Sequence, residues 1–180
     1  MRALIVIATG SEEMETVVCQ DLLVRAKIQV TLASVSGRFV TMSRGLNVLA
    51  DCDLDDVKHE NFDIIILPGG MPGAENLHQS SLLSTLLRQQ NQRGQFIAAI
   101  CASPAIVLAP LDLLKNQRAT VFPGLEEKIE HYIDEPVVCS GNVITSQGPA
   151  TATAFALRII EKLRGEVVAR EIAAQILYSV

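Results

Sequence analysis

Ala3-Leu4-Ile5-Val6-Ile7-Ala8 is an unbroken apolar run, and the chain repeats the form at Ile28 to Val35. Between the two, Glu15 to Ala26 places Val17, Val18, Leu22 and Leu23 at helical spacing. A short run that is apolar throughout and bounded by turn residues, here Gly10-Ser11, suits a strand buried on both faces. Strand, helix, strand in that order is a βαβ unit, whose crossover makes the two strands parallel. The pattern recurs at Phe62 to Leu67 and Gln95 to Ile100, with a helix over Leu82 to Arg93 that Gly94 ends. Gly37 to Ala50 alternates weakly around Arg44-Gly45 and predicts a small antiparallel excursion, and Asp51 to Glu60 reads as an acidic, solvated connection. Further on, Ser103 to Leu114 is helical or nearly so, with Pro104 tolerated in its first turn. Short strands follow at Thr120 to Phe122, Val137 to Cys139 and Val143 to Thr145, and helices at Thr151 to Leu163 and Val167 to Tyr178. These elements predict a three-layer α/β/α sandwich with a mostly parallel sheet, in one domain over residues 1–180.

Composition narrows the function classes. Of 180 residues, 49% are hydrophobic, 19% charged and only 4% aromatic, with no Trp, which is the aliphatic core of a parallel sheet and leaves little for base stacking. A net charge of −5 argues against a nucleic-acid or anionic-membrane surface, since both need clustered Lys and Arg. The apolar run at the N-terminus is too short for a signal peptide and is followed at once by Glu12-Glu13. Cys19, Cys52, Cys101 and Cys139 are widely spaced with no C-x-x-C pair, as suits reduced thiols in a cytoplasm. Neither they nor His59, His78 and His131 have metal-ligand spacing, so no metal or other cofactor is expected.

Gln95-Phe96-Ile97-Ala98-Ala99-Ile100-Cys101-Ala102-Ser103-Pro104 has the form of a nucleophile elbow: a buried strand ends in a cysteine and small residues open the next helix. Such a turn strains the backbone of its apex residue, exposes the side chain above the sheet and leaves the following N–H groups free. The helix N-terminus should also favour the thiolate. The competing reading of Cys101 is a small apolar residue filling a strand end.

In a parallel sheet, ligands gather beyond the carboxyl ends of the strands. Three loops leave such ends here: Thr9 to Glu15, Pro68-Gly69-Gly70-Met71-Pro72-Gly73, and Cys101 itself. Gly69 and Gly70 can aim backbone N–H groups at a reacting oxygen, with the Ala102 N–H as a second donor, or can serve only a tight turn. Glu15 either complements the helix dipole or is a carboxyl buried beside the thiol, where desolvation would keep it protonated and able to carry protons. Glu12, Glu13 and Glu15 together would repel a phosphate.

Gly10-Ser11-Glu12-Glu13-Met14-Glu15-Thr16, Leu67-Pro68-Gly69-Gly70, Ala98-Ala99-Ile100-Cys101-Ala102-Ser103-Pro104 and Thr145-Ser146-Gln147-Gly148-Pro149 occur in that order. Together they closely resemble the ThiJ/PfpI superfamily, in its DJ-one and YajL-like branch, over nearly the whole chain. The resemblance implies a flavodoxin-like sandwich, a homodimer, Cys101 as the reactive cysteine, Glu15 as its protonated partner, and an oxyanion site near Gly69, Gly70 and Ala102. It also places Arg25 and Arg44 near an anion site beside the dimer interface. Phe122 stands where the DJ-one branch often has histidine, and Ala102 where protease-like members have one, so no histidine is placed to serve as a peptidase base. Gln147 and Ala150 replace an arginine and a glycine common in the last motif.

Two function classes follow from the resemblance. One is a cofactor-independent enzyme acting on small reactive carbonyls, converting methylglyoxal or glyoxal to a hydroxy acid, or removing early glycated adducts from protein or nucleotides. The other is a redox sensor or holdase chaperone of oxidative stress, in which Cys101 is oxidised rather than catalytic.

Overall fold

The computed structural model describes residues 1–179. The chain runs β1 (Arg2–Ile7), α1 (Glu13–Arg25), β2 (Gln29–Ser34), a hairpin β3 (Phe39–Thr41) and β4 (Asn47–Leu49), and β5 (Cys52–Asp53). It continues through β6 (Ile64–Leu67), α2 (Gly73–Gln79), α3 (Ser81–Gln92), β7 (Phe96–Ile100), β8 (Arg118–Ala119), β9 (His131–Tyr132), β10 (Val137–Ser140) and β11 (Val143–Ser146), ending in α4 (Ala152–Arg164) and α5 (Glu166–Gln175). Seven strands form the central sheet in the order β10-β11-β7-β6-β1-β2-β5. All neighbours are parallel except β10 with β11, which pair as a hairpin around Gly141-Asn142.

The apolar runs take central positions because their side chains can be buried on both faces of the sheet. Along β1, Ala3, Ile5 and Ile7 join the core under α1, α4 and α5, while Leu4 and Val6 join the core under α2 and α3. The result is the expected flavodoxin-like α/β/α sandwich. Ser80 caps α3 by accepting from the Leu83 N–H at 3.2 Å, and that helix buries Leu83 and Leu87 against the sheet.

Four local readings change. Asp51 to Glu60 is not simply a solvated connection: Cys52 and Asp53 extend the sheet edge beside β2, and Leu54 and Val57, three apart on a 3₁₀ turn, are buried. Gly73–Gln79 forms a helix that the surrounding Pro and Gly residues conceal. The strand expected at Thr120 to Phe122 lies slightly earlier and pairs with β9, because the Thr120 N–H turns away to Thr145 Oγ1 at 2.9 Å. The helix after Cys101 is a single π turn, Pro104–Leu108, followed by a 3₁₀ turn, rather than an α-helix to Leu114.

For function, the consequence is one of placement. β7, β6 and β1 are adjacent and parallel, so the three loops leaving their carboxyl ends emerge side by side. Among the described residues no helix is long and apolar enough to cross a membrane.

Candidate active site

Cys101 stands at the apex of the β7 turn with φ at +64°, a left-handed backbone conformation that is costly for a residue with a Cβ. The surroundings hold it there. Its N–H donates to the Ser146 carbonyl at 2.9 Å, its own carbonyl accepts from the Phe122 N–H at 2.9 Å, and Ser103 Oγ donates to the Pro68 carbonyl at 2.6 Å. Gly69 is packed directly on the cysteine: a Cβ there would come within 2.6 Å of Cys101 Cβ. Gly70 has φ +85°, and a Cβ on it would come within 2.5 Å of the Gly10 carbonyl oxygen. Both glycines are therefore required by close approach, and Gly70 also by its left-handed backbone.

The loop after β1 closes over the same point. The Glu12 N–H donates to the Gly69 carbonyl at 2.9 Å and the Gly73 N–H to the Gly10 carbonyl at 3.2 Å. Glu15, in the first turn of α1, points inward and is only 1% exposed. Its Oε2 accepts from the Gly69 N–H at 2.6 Å, while Oε1 is buried without a hydrogen-bond partner of ordinary geometry. The carboxyl lies beside the Cys101 thiol, close enough for each group to shift the other's proton affinity. Burial pushes Glu15 up to about 7, against the opposing pull of the Gly69 N–H and the Cys101 contact.

Cys101 does not become acidic through its helix. Burial, followed by the Glu15 charge, pushes the thiol up to about 12, although the neighbouring backbone N–H groups of Gly70 and Ala102 pull the other way. One π turn offers little dipole, and desolvation with a carboxylate alongside outweighs it. The two groups titrate as a pair: the first proton leaves near neutrality and the second is retained well into the alkaline range. In the singly protonated pair the remaining proton can sit on oxygen or sulfur. Gly70 and Ala102 favour the thiolate form, and Gly69 favours the carboxylate form.

The thiol opens into a pocket of about 500 Å³. Gly70, Cys101 and Ala102 line it together with the polar Glu12, Ser43 and Arg44, and Met71, Ile106, Phe122, Leu125 and Pro149 supply its large apolar surface. Ser43 Oγ is within hydrogen-bond distance of both Glu12 Oε2 (2.7 Å) and Glu13 Oε2 (2.8 Å), and the Arg44 N–H donates to Glu13, which clips the β3–β4 hairpin onto α1. Burial opposes ionisation of Glu13, but these donors hold its carboxyl below the usual value.

Of the residues singled out from sequence, the fold thus gathers Cys101, Glu15, Gly69, Gly70, Ala102 and Arg44. Arg25 is not among them. It lies on the last turn of α1, about 15 Å along the helix from Glu15, exposed and paired with Asp21 at 2.8 Å. The match that put it near an anion site does not bring it to the pocket of a single chain. Ile106, Leu125 and Pro149 carry no chemical signal in the sequence and join the site only through tertiary packing. Cys19, Cys52 and Cys139 are free thiols outside the pocket, and among the described residues no cluster of His, Cys, Asp and Glu could hold a metal.

Comparison with known proteins gives the family. The model of the DJ-1/PfpI family matches residues 1–162. The chain belongs to the DJ-1/PfpI family. Protein dj-1beta of Drosophila melanogaster is 41% identical over 180 residues, covering 97% of this chain and 96% of that protein. Glutathione-independent glyoxalase DJR-1.2 of Caenorhabditis elegans is 41% identical over 159 residues, covering 86% and 84% respectively. The solved structure of oxidized DJ-1 from Toxoplasma gondii superposes with a TM-score of 0.98 at 41% identity and covers 99% of each chain.

A buried carboxyl whose folded value is raised from 4.5 to about 7 binds its proton more tightly in the folded protein than in the unfolded chain. Its contribution to stability is therefore lost as pH rises from about 4.5 to about 7. For this DJ-1/PfpI member, Glu15→Gln removes the titration, so the stability of the variant relative to wild type should rise across that interval, by up to about 3 kcal/mol. Urea denaturation of both proteins at pH 5 and pH 8 measures the difference, and an advantage that is the same at both pH values would refute the assignment.

Proposed function

We propose that this protein is a cysteine-dependent, cofactor-independent enzyme that converts small ketoaldehydes to hydroxy acids. The observation that carries the reading is the Glu15–Cys101 pair, buried beside the Gly70 and Ala102 N–H groups, with Cys101 lining an accessible pocket. The relative named as a glutathione-independent glyoxalase supports it. In this reading the Cys101 sulfur adds to the aldehyde carbon, and the Gly70 and Ala102 N–H groups hold the resulting oxyanion. Glu15 then takes the proton from the former aldehyde carbon and delivers a proton to the neighbouring carbon. The first carbon is thereby oxidised to a thioester and the second reduced to an alcohol. Water hydrolyses the thioester, releasing the hydroxy acid and the thiol. Early glycated adducts of protein or nucleotides, which also present a carbonyl-derived carbon to the thiol, are the wider substrate class of the same site.

Cys101→Ser should abolish loss of methylglyoxal. Glu15→Gln keeps the nucleophile but cannot carry the proton between carbons, so its turnover should fall by about 10²-fold or more while Cys101 still reacts with iodoacetamide. Wild-type turnover should rise with pH through about 7, as the pair loses its first proton. Retention of wild-type rates in either variant would remove this mechanism.

A second reading is redox sensing, with or without a holdase role, and the unpartnered Glu15 Oε1 favours it. Two successive oxidations by peroxide, each delivering one oxygen to sulfur, would convert Cys101 to a sulfinate that a protonated Glu15 could donate to. The related Toxoplasma gondii structure is of an oxidized protein. Intact mass after mild peroxide treatment should show two added oxygens mapping to Cys101 in wild type and fewer in Glu15→Leu. Equal oxidation in both would leave the carboxyl no part in it.

The same reading includes a homodimer. Met14, Val17 and Val24 on α1 and Phe39, Leu46 and Leu49 on the neighbouring hairpin are large apolar side chains left 47% to 68% exposed. Met14 and Leu46 border Arg44 at the edge of the pocket, so a second copy docked there would wall the site. Val17→Asp should shift the protein from dimer to monomer in sedimentation, and an unchanged mass would place the interface elsewhere.

A further inference from the structure

The large apolar side chains that line the pocket, Met71, Ile106, Phe122, Leu125 and Pro149, have no part in the chemistry described so far. We infer that they form a seat for an aromatic or bulky alkyl substituent on the carbonyl compound, so that the preferred substrates are aryl ketoaldehydes rather than three-carbon ones. This inference rests on the catalytic reading above for its reaction and on the pocket's own lining for its specificity.

Three observations carry it. First, the pocket, at about 500 Å³, is of the size that holds drug-sized ligands, and a three-carbon ketoaldehyde bound at Cys101 would leave most of it to water. Second, of these apolar lining residues Met71 and Phe122 remain 51% and 44% exposed. Large apolar side chains held open to water around a nucleophile are what an apolar ligand covers. Third, the Phe122 backbone is anchored beside the elbow. Its N–H donates to the Cys101 carbonyl at 2.9 Å, and its ring lies on Gly148, where an added Cβ would meet Cδ2 at 3.3 Å. A ring attached to the carbonyl carbon next to the aldehyde would therefore meet a preformed surface beside the reacting thiol. Offset or edge-to-face packing on Phe122 adds to the area it buries. By contrast, the hydroxyl groups of a sugar-derived adduct would find no polar side chain on Met71, Ile106, Phe122, Leu125 or Pro149 to replace lost water, and would be drawn to the Glu12, Ser43 and Arg44 part of the lining instead.

The reaction is unchanged and balances as before. Phenylglyoxal and water give mandelate, the aldehyde carbon being oxidised to the acid and the ketone carbon reduced to the alcohol, with the thiol regenerated.

The test compares kcat/KM for phenylglyoxal and methylglyoxal in wild type and Phe122→Ala. Alongside it, the rates at which 2-bromoacetophenone and bromoacetone alkylate Cys101 are each divided by their rates with free glutathione. Wild type should favour the aryl compound by about tenfold or more in both measurements, and Phe122→Ala should reduce both ratios by about fivefold. The alkylation ratio needs no turnover. A clear aryl preference in alkylation without consumption of either aldehyde would overturn the catalytic reading and leave the seat standing. Turnover with an alkylation ratio near one, or ratios that Phe122→Ala does not move, would overturn the seat.

Discussion

The hydrogen bond from the Gly69 N–H to Glu15 Oε2, at 2.6 Å, ties together the two loops on which the site depends. It draws a carboxyl from the first turn of α1 beneath the loop after β6, into a place beside the Cys101 thiol where ionisation is disfavoured. An isolated buried carboxyl would be a net cost to the fold. Here that cost accompanies a pair of groups whose protons are coupled, which is a common trait of sites that move protons.

The pair could not form without the small residues around it. Gly69 lets the loop lie against Cys101, Gly70 lets it pass the β1 loop, and Gly73 brings the start of α2 against Ser11, where any Cβ would meet backbone within 2.4 Å. The strained φ of Cys101 is held by its bonded neighbours Ser146 and Phe122, which come from the far half of the chain. Strain at the nucleophile, glycines at the contacts and an under-bonded acid are therefore one construction. The bond that holds the Cys101 carbonyl also anchors the Phe122 backbone beside the elbow.

Much of this was legible in the sequence. Unbroken apolar runs identify the central strands, because a strand covered on both faces has no polar positions to alternate with. Cys101 and Gly69-Gly70 were legible as a turn after such a strand, and Glu15 as a carboxylate at a helix start. Elements with weaker patterns were not. Gly73–Gln79 is helical despite its composition, β5 and β8 are two-residue pairings set by neighbours, and the turn after Cys101 winds as a π-helix instead of an α-helix. Arg25 lies at the far end of α1 from Glu15, a separation that its helical register already dictates.

By itself, the sequence determined the parallel sandwich, the apex position of Cys101 and the small residues that crowd it, because periodicity, turn chemistry and the absence of a Cβ are local properties. Only the tertiary structure decided which way Glu15 points, that the burial of Cys101 and the charge of Glu15 beside it raise the thiol instead of freeing the thiolate, and which apolar side chains line the pocket. Those outcomes depend on distances between segments that are far apart in the chain. Desolvation and charge coupling act across such distances, and no local pattern records them.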